Sequence, residues 1–261
     1  MRREKAPPAI AVLAAVGAAF FVLPLVGLIV KTPWAGAAHA LLSADTLEAL
    51  RLSIVASLSA TAVALVLGVP LAWIYARVEF PGRSVLRALT TLPMVLPPVV
   101  GGIALLLAFG RRGLLGGWLY DTFGLTFPFT TAGVVMAETF VAMPFLVLTV
   151  EAGLRSMDRR YEDAARTLGA SRWTVFSRVT MPLIAPSLLA GAVLCWARAL
   201  GEFGATITFA GNFPGVTQTM PLAVYLLLET NPESSFVLSL VLLFVSLVFL
   251  VALRHRWLGS A

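Results

Sequence analysis

Apolar stretches long enough to cross a bilayer recur along the chain, separated by short polar segments. A membrane span needs roughly 20 predominantly apolar residues. Uncharged runs that reach this length cover 8–30, 52–76, 88–110 and 234–253. Two further segments qualify with charge inside them: 131–150 tolerates Glu138, and 186–209 carries Arg198 and Glu202. The pattern predicts an all-α polytopic membrane protein with six transmembrane helices, forming one membrane domain over 1–261. The run "LPMVLPP" at 92–98 must kink or break the third helix, because interior prolines lose backbone hydrogen bonds. Such breaks are tolerated at membrane depth only where they are buried in protein or line a cavity.

Two stretches fall short of a span. Residues 211–230, "GNFPGVTQTMPLAVYLLLET", are interrupted by Asn212, Pro214, Gly215 and Pro221, and read as a short interfacial or re-entrant helix. Residues 111–129 read as an interfacial segment with Trp118 and Tyr120 as aromatic anchors.

Composition agrees with a membrane solvent. Of 261 residues, 59% are hydrophobic and 12% charged, about half the charged fraction of soluble domains. Intrinsic disorder and an ordinary water-soluble core are both excluded. Cys195 is the single cysteine, so internal disulfides are impossible, and it reads as a small packing residue. His39 and His255 are far apart without ligand-like neighbours, which leaves metal catalysis without support.

The distribution of cations orients the spans. Arg2, Arg3, Lys5, Arg77, Arg83, Arg87, Arg155, Arg159, Arg160, Arg166, Arg172, Arg178, Arg254 and Arg256 fall on one side, against Lys31, Arg51, Arg111 and Arg112 on the other. The positive-inside rule makes the first side cytoplasmic and puts both termini there. "MRREK" and a later "AHA" imitate a secretory signal, but the apolar stretch of 23 residues exceeds a signal core of about 7–15.

The cytoplasmic segment between the fourth and fifth helices, "EDAARTLGASRWTVFSRVTMPLIAP" (162–186), is the densest run of charge. Glu162 and Asp163 suit the N-terminal end of a short helix, and Gly169 a C-terminal turn. Ser171 can cap a second short helix that Pro182 would end. Ala164, Ala165 and Gly169, with Leu168 just before the glycine, then leave a low surface on which another protein can pack. An ordinary basic loop lying on anionic headgroups is the alternative.

This segment resembles the E-A-A-x-x-x-G-x9-I-x-L-P signature of permease subunits of bacterial ABC importers. Here it reads Asp163-Ala164-Ala165, Gly169, then Val179-Thr180-Met181-Pro182, with Asp for Glu, Val for Ile and Met for Leu. The resemblance implies that 158–180 form the coupling helix, which docks in a groove of an ATPase subunit. The only lysines, Lys5 and Lys31, follow no glycine-rich loop, so no Walker A motif exists. No cofactor is therefore expected in this chain; ATP and Mg belong to the partner ATPase.

The stretches "FPGRSVLRALTTLPMVLPPVVGG" (80–102) and "ARALGEFGATITFAGNFPGVTQTMPLAVY" (197–225) are similar to the molybdate branch of the molybdate/sulfate importer permeases. The resemblance covers about residues 45–250. It implies a homodimer with two ATP-binding subunits and an extracytoplasmic molybdate-binding protein, in the bacterial inner membrane, without nucleic acid. Sulfate, thiosulfate and tungstate remain alternative oxyanions.

Intramembrane charge adds candidate pathway residues. Arg198 and Glu202 are four apart, hence on one face of a helix. They read either as a station for a passing oxyanion or as a structural bridge. Glu138 is a possible partner of Arg198 or a structural hydrogen-bonding group. Thr206 and Thr208 can offer hydroxyls to an oxyanion or bond backbone, as membrane hydroxyls often do. Ser53, Ser57 and Thr61, at i, i+4 and i+8, read as a packing seam. An ion-coupled carrier would use Glu138, Arg198 and Glu202 as a relay, but the two halves show no convincing repeat. A membrane enzyme would need motifs such as H-E-x-x-H or G-x-S-x-G, and neither occurs.

Overall fold

Ser43 starts the longest element. In the computed structural model, which describes residues 7–257, its hydroxyl accepts a hydrogen bond from the Thr46 N–H at 3.4 Å and caps a 34-residue helix. The helices, in chain order, are α1 (Pro8–Lys31), α2 (Trp34–Leu41), α3 (Ala44–Arg77), α4 (Arg83–Thr91), α5 (Pro98–Phe109), α6 (Gly116–Phe123) and α7 (Thr131–Ser156). They continue with α8 (Arg160–Thr167), α9 (Arg172–Val175), α10 (Met181–Leu183), α11 (Ala185–Leu200), α12 (Gly204–Phe209), α13 (Met220–Thr230) and α14 (Pro232–Trp257). No strand occurs among the described residues.

Three helices, α1, α3 and α7, are unbroken and apolar enough to cross a membrane. Two more candidate spans are bent pairs. The segment Arg83–Met94 meets α5 at 119°, and the segment Arg172–Leu183 meets α11 at 72°. The first bend falls in the proline run at 92–98, where Pro97 and Pro98 lack the N–H groups a continuous helix would use. Helix α14 opens with Pro232 and carries the last apolar stretch.

The core is built on small residues. On α3, Ala49, Ser53, Ala56, Ala60 and Ala64 are buried, following helical spacing along one face. This face packs against α7, where Ala137, Ala142, Leu146 and Val150 are buried. On the other side of α7, a Cβ on Gly153 would stand 2.4 Å from Ser187 of α11, and one on Gly191 would stand 3.1 Å from Leu146. Close backbone approach of this kind replaces the hydrophobic drive that lipid cannot supply. By contrast, no residue of α1 is buried.

Three features differ from the sequence expectations. At 1.5 Å per residue α3 is about 51 Å long and runs past both ends of 52–76. The segment 186–209 is not one helix: α11 stops at Leu200, and α12 starts at Gly204. Pro182 does not end the short helix after Ser171. It occupies the first turn of α10, where its missing N–H costs little, and the bend follows at Ile184. Arg2, Arg3 and Lys5 lie outside the described residues, as do the side chains of Arg254 and Arg256.

Candidate functional site: an anchored loop and a broken helix

Helix α7 ends at Ser156, and the chain then runs along one end of the molecule. The short helix α8 carries Glu162 and Asp163 in its first turn. At its end Gly169 has φ +85°, a left-handed conformation that closes the helix and is strained for residues with a Cβ. The Ser171 hydroxyl then accepts from the Thr174 N–H at 3.2 Å and caps α9. A π-helical turn, Phe176–Thr180, joins α9 to α10.

The two acids point opposite ways. Glu162 is 4% exposed. Its Oε1 accepts from the Thr180 hydroxyl at 2.8 Å and from Arg77 Nη2 at 3.3 Å, and Arg166 lies 3.9 Å from Oε2. One carboxylate therefore ties α8 to the end of α3 and to the π-helical turn. Asp163 is exposed and pairs with Arg166 Nη1 at 3.0 Å. Ala164 and Leu168 are exposed too, Leu168 at 88%, and Ala165 is half-buried. A Cβ on Gly169 would meet nothing within 4 Å. The outer side of the loop is thus a low surface with one projecting leucine, and Pro182 is exposed beyond it.

Arginines fasten the same end of the molecule. Arg83 donates to the Tyr75 carbonyl, Arg155 reaches that oxygen at 3.5 Å, and Arg159 donates to the Ala76 carbonyl at 3.4 Å. Cations here satisfy the free carbonyls and the negative end of α3. Buried Glu151 binds Arg87 at 3.0 Å and Arg155 at 2.8 Å. Sequence reasoning missed Arg77, Thr180, Glu151 and Arg87. Arg77 and Glu162 stand 85 positions apart, and no local spacing signals such a pair.

The second site is the break between α11 and α12. Arg198 lies in the last turn of α11 and Glu202 beyond its end, yet they meet at 2.6 Å. Glu202 also accepts from the Ala205 N–H at 2.7 Å, which caps α12. The pair is therefore not two residues on one helix face, as the spacing predicts, but a clamp across a helix break. Glu138 on α7 is 1% exposed and within electrostatic reach of Glu202. Its Oε2 has no hydrogen-bond partner among the described residues.

Thr206 and Thr208 separate. The Thr208 hydroxyl donates to the Gly204 carbonyl at 2.7 Å, the backbone bond expected of membrane hydroxyls. Thr206 is fully buried, and its hydroxyl has no hydrogen-bond partner among the described residues. Helix α12 rests on α5, and a Cβ on Gly102 would overlap the Thr208 hydroxyl at 1.8 Å. The two broken helices are thereby packed against each other. Ser53 does more than line a seam, because its hydroxyl accepts from the Met220 N–H at 2.7 Å and holds the start of α13. Thr61 bonds the Ser57 carbonyl at 2.8 Å.

The chain is similar in sequence and in fold to known transport proteins. The molybdenum transport system permease protein ModB of Mycobacterium tuberculosis (strain H37Rv) is 45% identical over 242 residues, covering 92% of this chain and 90% of that protein. The sulfate transport system permease protein CysW of Escherichia coli (strain K12) is 40% identical over 207 residues, covering 79% and 71%. A crystal structure of a bacterial ABC transporter that imports the acidic polysaccharide alginate superposes with a TM-score of 0.75, over 97% of this chain and 95% of that one. At 17% identity it shows the shared fold alone. The binding-protein-dependent transport system inner membrane components match residues 64–261, so this all-helical, multi-pass membrane chain belongs to that family.

Proposed function

We propose that the chain is the membrane permease subunit of an ATP-driven, binding-protein-dependent importer of molybdate. The observation that carries the substrate is the 45% identity to ModB over nearly the full length of both proteins, with the sulfate permease CysW more distant. Six spans are counted when α1, α3, the α4–α5 pair, α7, α11 with its continuation and α14 each cross once. Both termini are then cytoplasmic, as the cation distribution requires.

The loop 158–180 is the coupling element. Its outer face, with Ala164, Leu168 and Gly169 open, receives an ATPase subunit. Its inner face, through Glu162, transmits displacement to α3 and to the turn leading into α11. ATP and Mg are held by two separate ATPase chains, and an extracytoplasmic binding protein delivers the anion to a homodimer of this subunit. Alternating access follows if ATP binding and anion binding each favour different states. Arg198, Glu202, Glu138 and Thr206 line or brace the path at the α11–α12 break. Unwound backbone is tolerated at membrane depth where protein buries it or a cavity adjoins it.

The test is cellular molybdenum after growth on trace molybdate, in cells lacking this chain and in complemented cells, with sulfate uptake followed in parallel. Lost molybdenum restored by complementation, with sulfate uptake intact, is the expected result. Normal molybdenum with impaired sulfate uptake would move the assignment to the sulfate branch.

A further inference from the structure

Two cavities adjoin behind the anchored loop, and their chemistries differ. The first, about 670 Å³, is lined by Arg77, Arg159, Arg166 and Arg172 together with Glu162 and Asp163. The second, about 480 Å³, is lined by Pro70, Trp73, Ile74, Trp173 and Phe176, with Arg172 at its edge. Trp73, Arg172 and Phe176 belong to both. The Phe176 ring meets Trp73 edge-on at 6.3 Å and Trp173 at 5.6 Å, so Trp73 and Phe176 form the wall between the cavities and Trp173 extends it on the apolar side.

The charges in the first cavity do not cancel. Both carboxylates are engaged, Glu162 with Arg77 and Arg166, and Asp163 with Arg166. Arg159, which donates to the Ala76 carbonyl, and Arg172 have no ion-pair partner among the described residues, so the cavity keeps an excess of positive charge. The Arg77 side chain is only 8% exposed, and its buried Nε has no hydrogen-bond partner among the described residues. A buried donor of this kind costs free energy until an acceptor reaches it. The apolar cavity beside it lies against the last turns of α3, where that helix leaves its apolar stretch.

We infer that these joined cavities are a site for an anionic phospholipid of the cytoplasmic leaflet. The phosphate sits among Arg77, Arg159 and Arg172, and an acyl chain lies along Trp73, Ile74 and Trp173. A basic pocket against apolar helix surface at the cytoplasmic interface suits this ligand class, and tryptophan at headgroup level is the usual boundary residue. A free phosphate would use the first cavity and leave the second empty. The lipid would brace the same loop that Glu162 anchors. This goes beyond the transport reading and holds for any transported oxyanion; it shares with that reading only the cytoplasmic placement of the loop.

The test uses the full chain purified in mild detergent and titrated with phosphatidylglycerol, phosphatidylcholine or inorganic phosphate, with adducts read by native mass spectrometry. Phosphatidylglycerol is expected to bind about tenfold more tightly than phosphatidylcholine, and Arg159→Gln with Arg172→Gln to abolish that preference. Trp173→Ala should weaken both lipids about threefold. Arg178→Gln, at an exposed arginine of the same loop outside both cavities, controls for general charge and should keep the preference. An unchanged preference in the Arg159/Arg172 double variant would overturn the inference. So would inorganic phosphate displacing the lipid at equal concentration, or adducts that vanish whenever two copies of the chain associate. None of these outcomes bears on molybdate uptake in cells, so the lipid site and the transport reading fail separately.

Discussion

Glu162 and Glu202 are both buried carboxylates that meet arginine, and each holds a helix end in place. Glu162 sits at the water-facing end of the molecule and joins three separate pieces of chain: the end of α3, the start of α8 and the π-helical turn. Glu202 sits inside the apolar body and joins neighbours only, binding Arg198 four residues before it and the Ala205 N–H three residues after it. The first is a long-range tie between parts of the chain that are distant in sequence. The second is a local clamp that stabilises a helix break inside the helical body. In lipid an unpaired charge costs more than at the surface, so the local clamp should be the less dispensable of the two.

The largest expected effect follows from that difference. Glu202→Ala leaves Arg198 without its partner and exposes the start of α12. Breaking a buried pair in this way costs about 3–5 kcal/mol. The detergent-solubilised protein should lose thermal stability and transport together, and an unchanged melting temperature would contradict the clamp. Arg198→Ala sharpens the point: reduced oxyanion flux with stable protein places Arg198 on the path, whereas unchanged flux with stable protein leaves it structural.

Glu162→Ala comes next. It removes the tie to Arg77 and Thr180 and should cost about 1–3 kcal/mol, while the spans still insert. If the loop transmits displacement to α3 through this carboxylate, uptake should fall further than ATP hydrolysis in the assembled transporter. Equal losses in both activities would argue against transmission through this carboxylate.

Gly169→Trp acts on the outer face instead. A residue with a Cβ at φ +85° costs about 1–2 kcal/mol, and the indole would occupy the open surface beside Leu168. ATPase activity should separate from uptake with insertion intact. Normal coupled uptake would sink the docking argument. The smallest effect is expected from Asp163→Ala, which removes an exposed pair with Arg166. Such pairs contribute about 0–1 kcal/mol, so thermal melting should barely move.

How much was legible varied with the range of the interaction. The proline run at 92–98 announced a break, because a missing N–H is a property of the residue itself. The capping of α9 by Ser171 and the left-handed turn at Gly169 were readable for the same reason, being local backbone chemistry. The division of 186–209 was hidden, since its break at 201–203 carries Glu202 rather than proline. It is stabilised by Glu202 bonding to a backbone N–H that a continuous helix would have used differently. The inward role of Glu162 was not legible, because only the fold brings Arg77 and Thr180 to it while the adjacent Asp163 stays exposed.

Hydropathy, cation placement and turn residues along the chain therefore determined, by themselves, an all-helical membrane protein with a polar segment between its fourth and fifth apolar stretches. These are one-dimensional properties, because each span must satisfy its own backbone bonds within the bilayer. The tertiary structure decided which carboxylate faces inward, that 186–209 divides in two, and how a basic cavity comes to adjoin an apolar one. Those depend on α3, α7 and α11 packing through small residues, which places side chains up to 85 positions apart within hydrogen-bonding distance. No pattern in the linear chain encodes that proximity, since Arg77 and Glu162 belong to segments whose apolar periods are independent of each other.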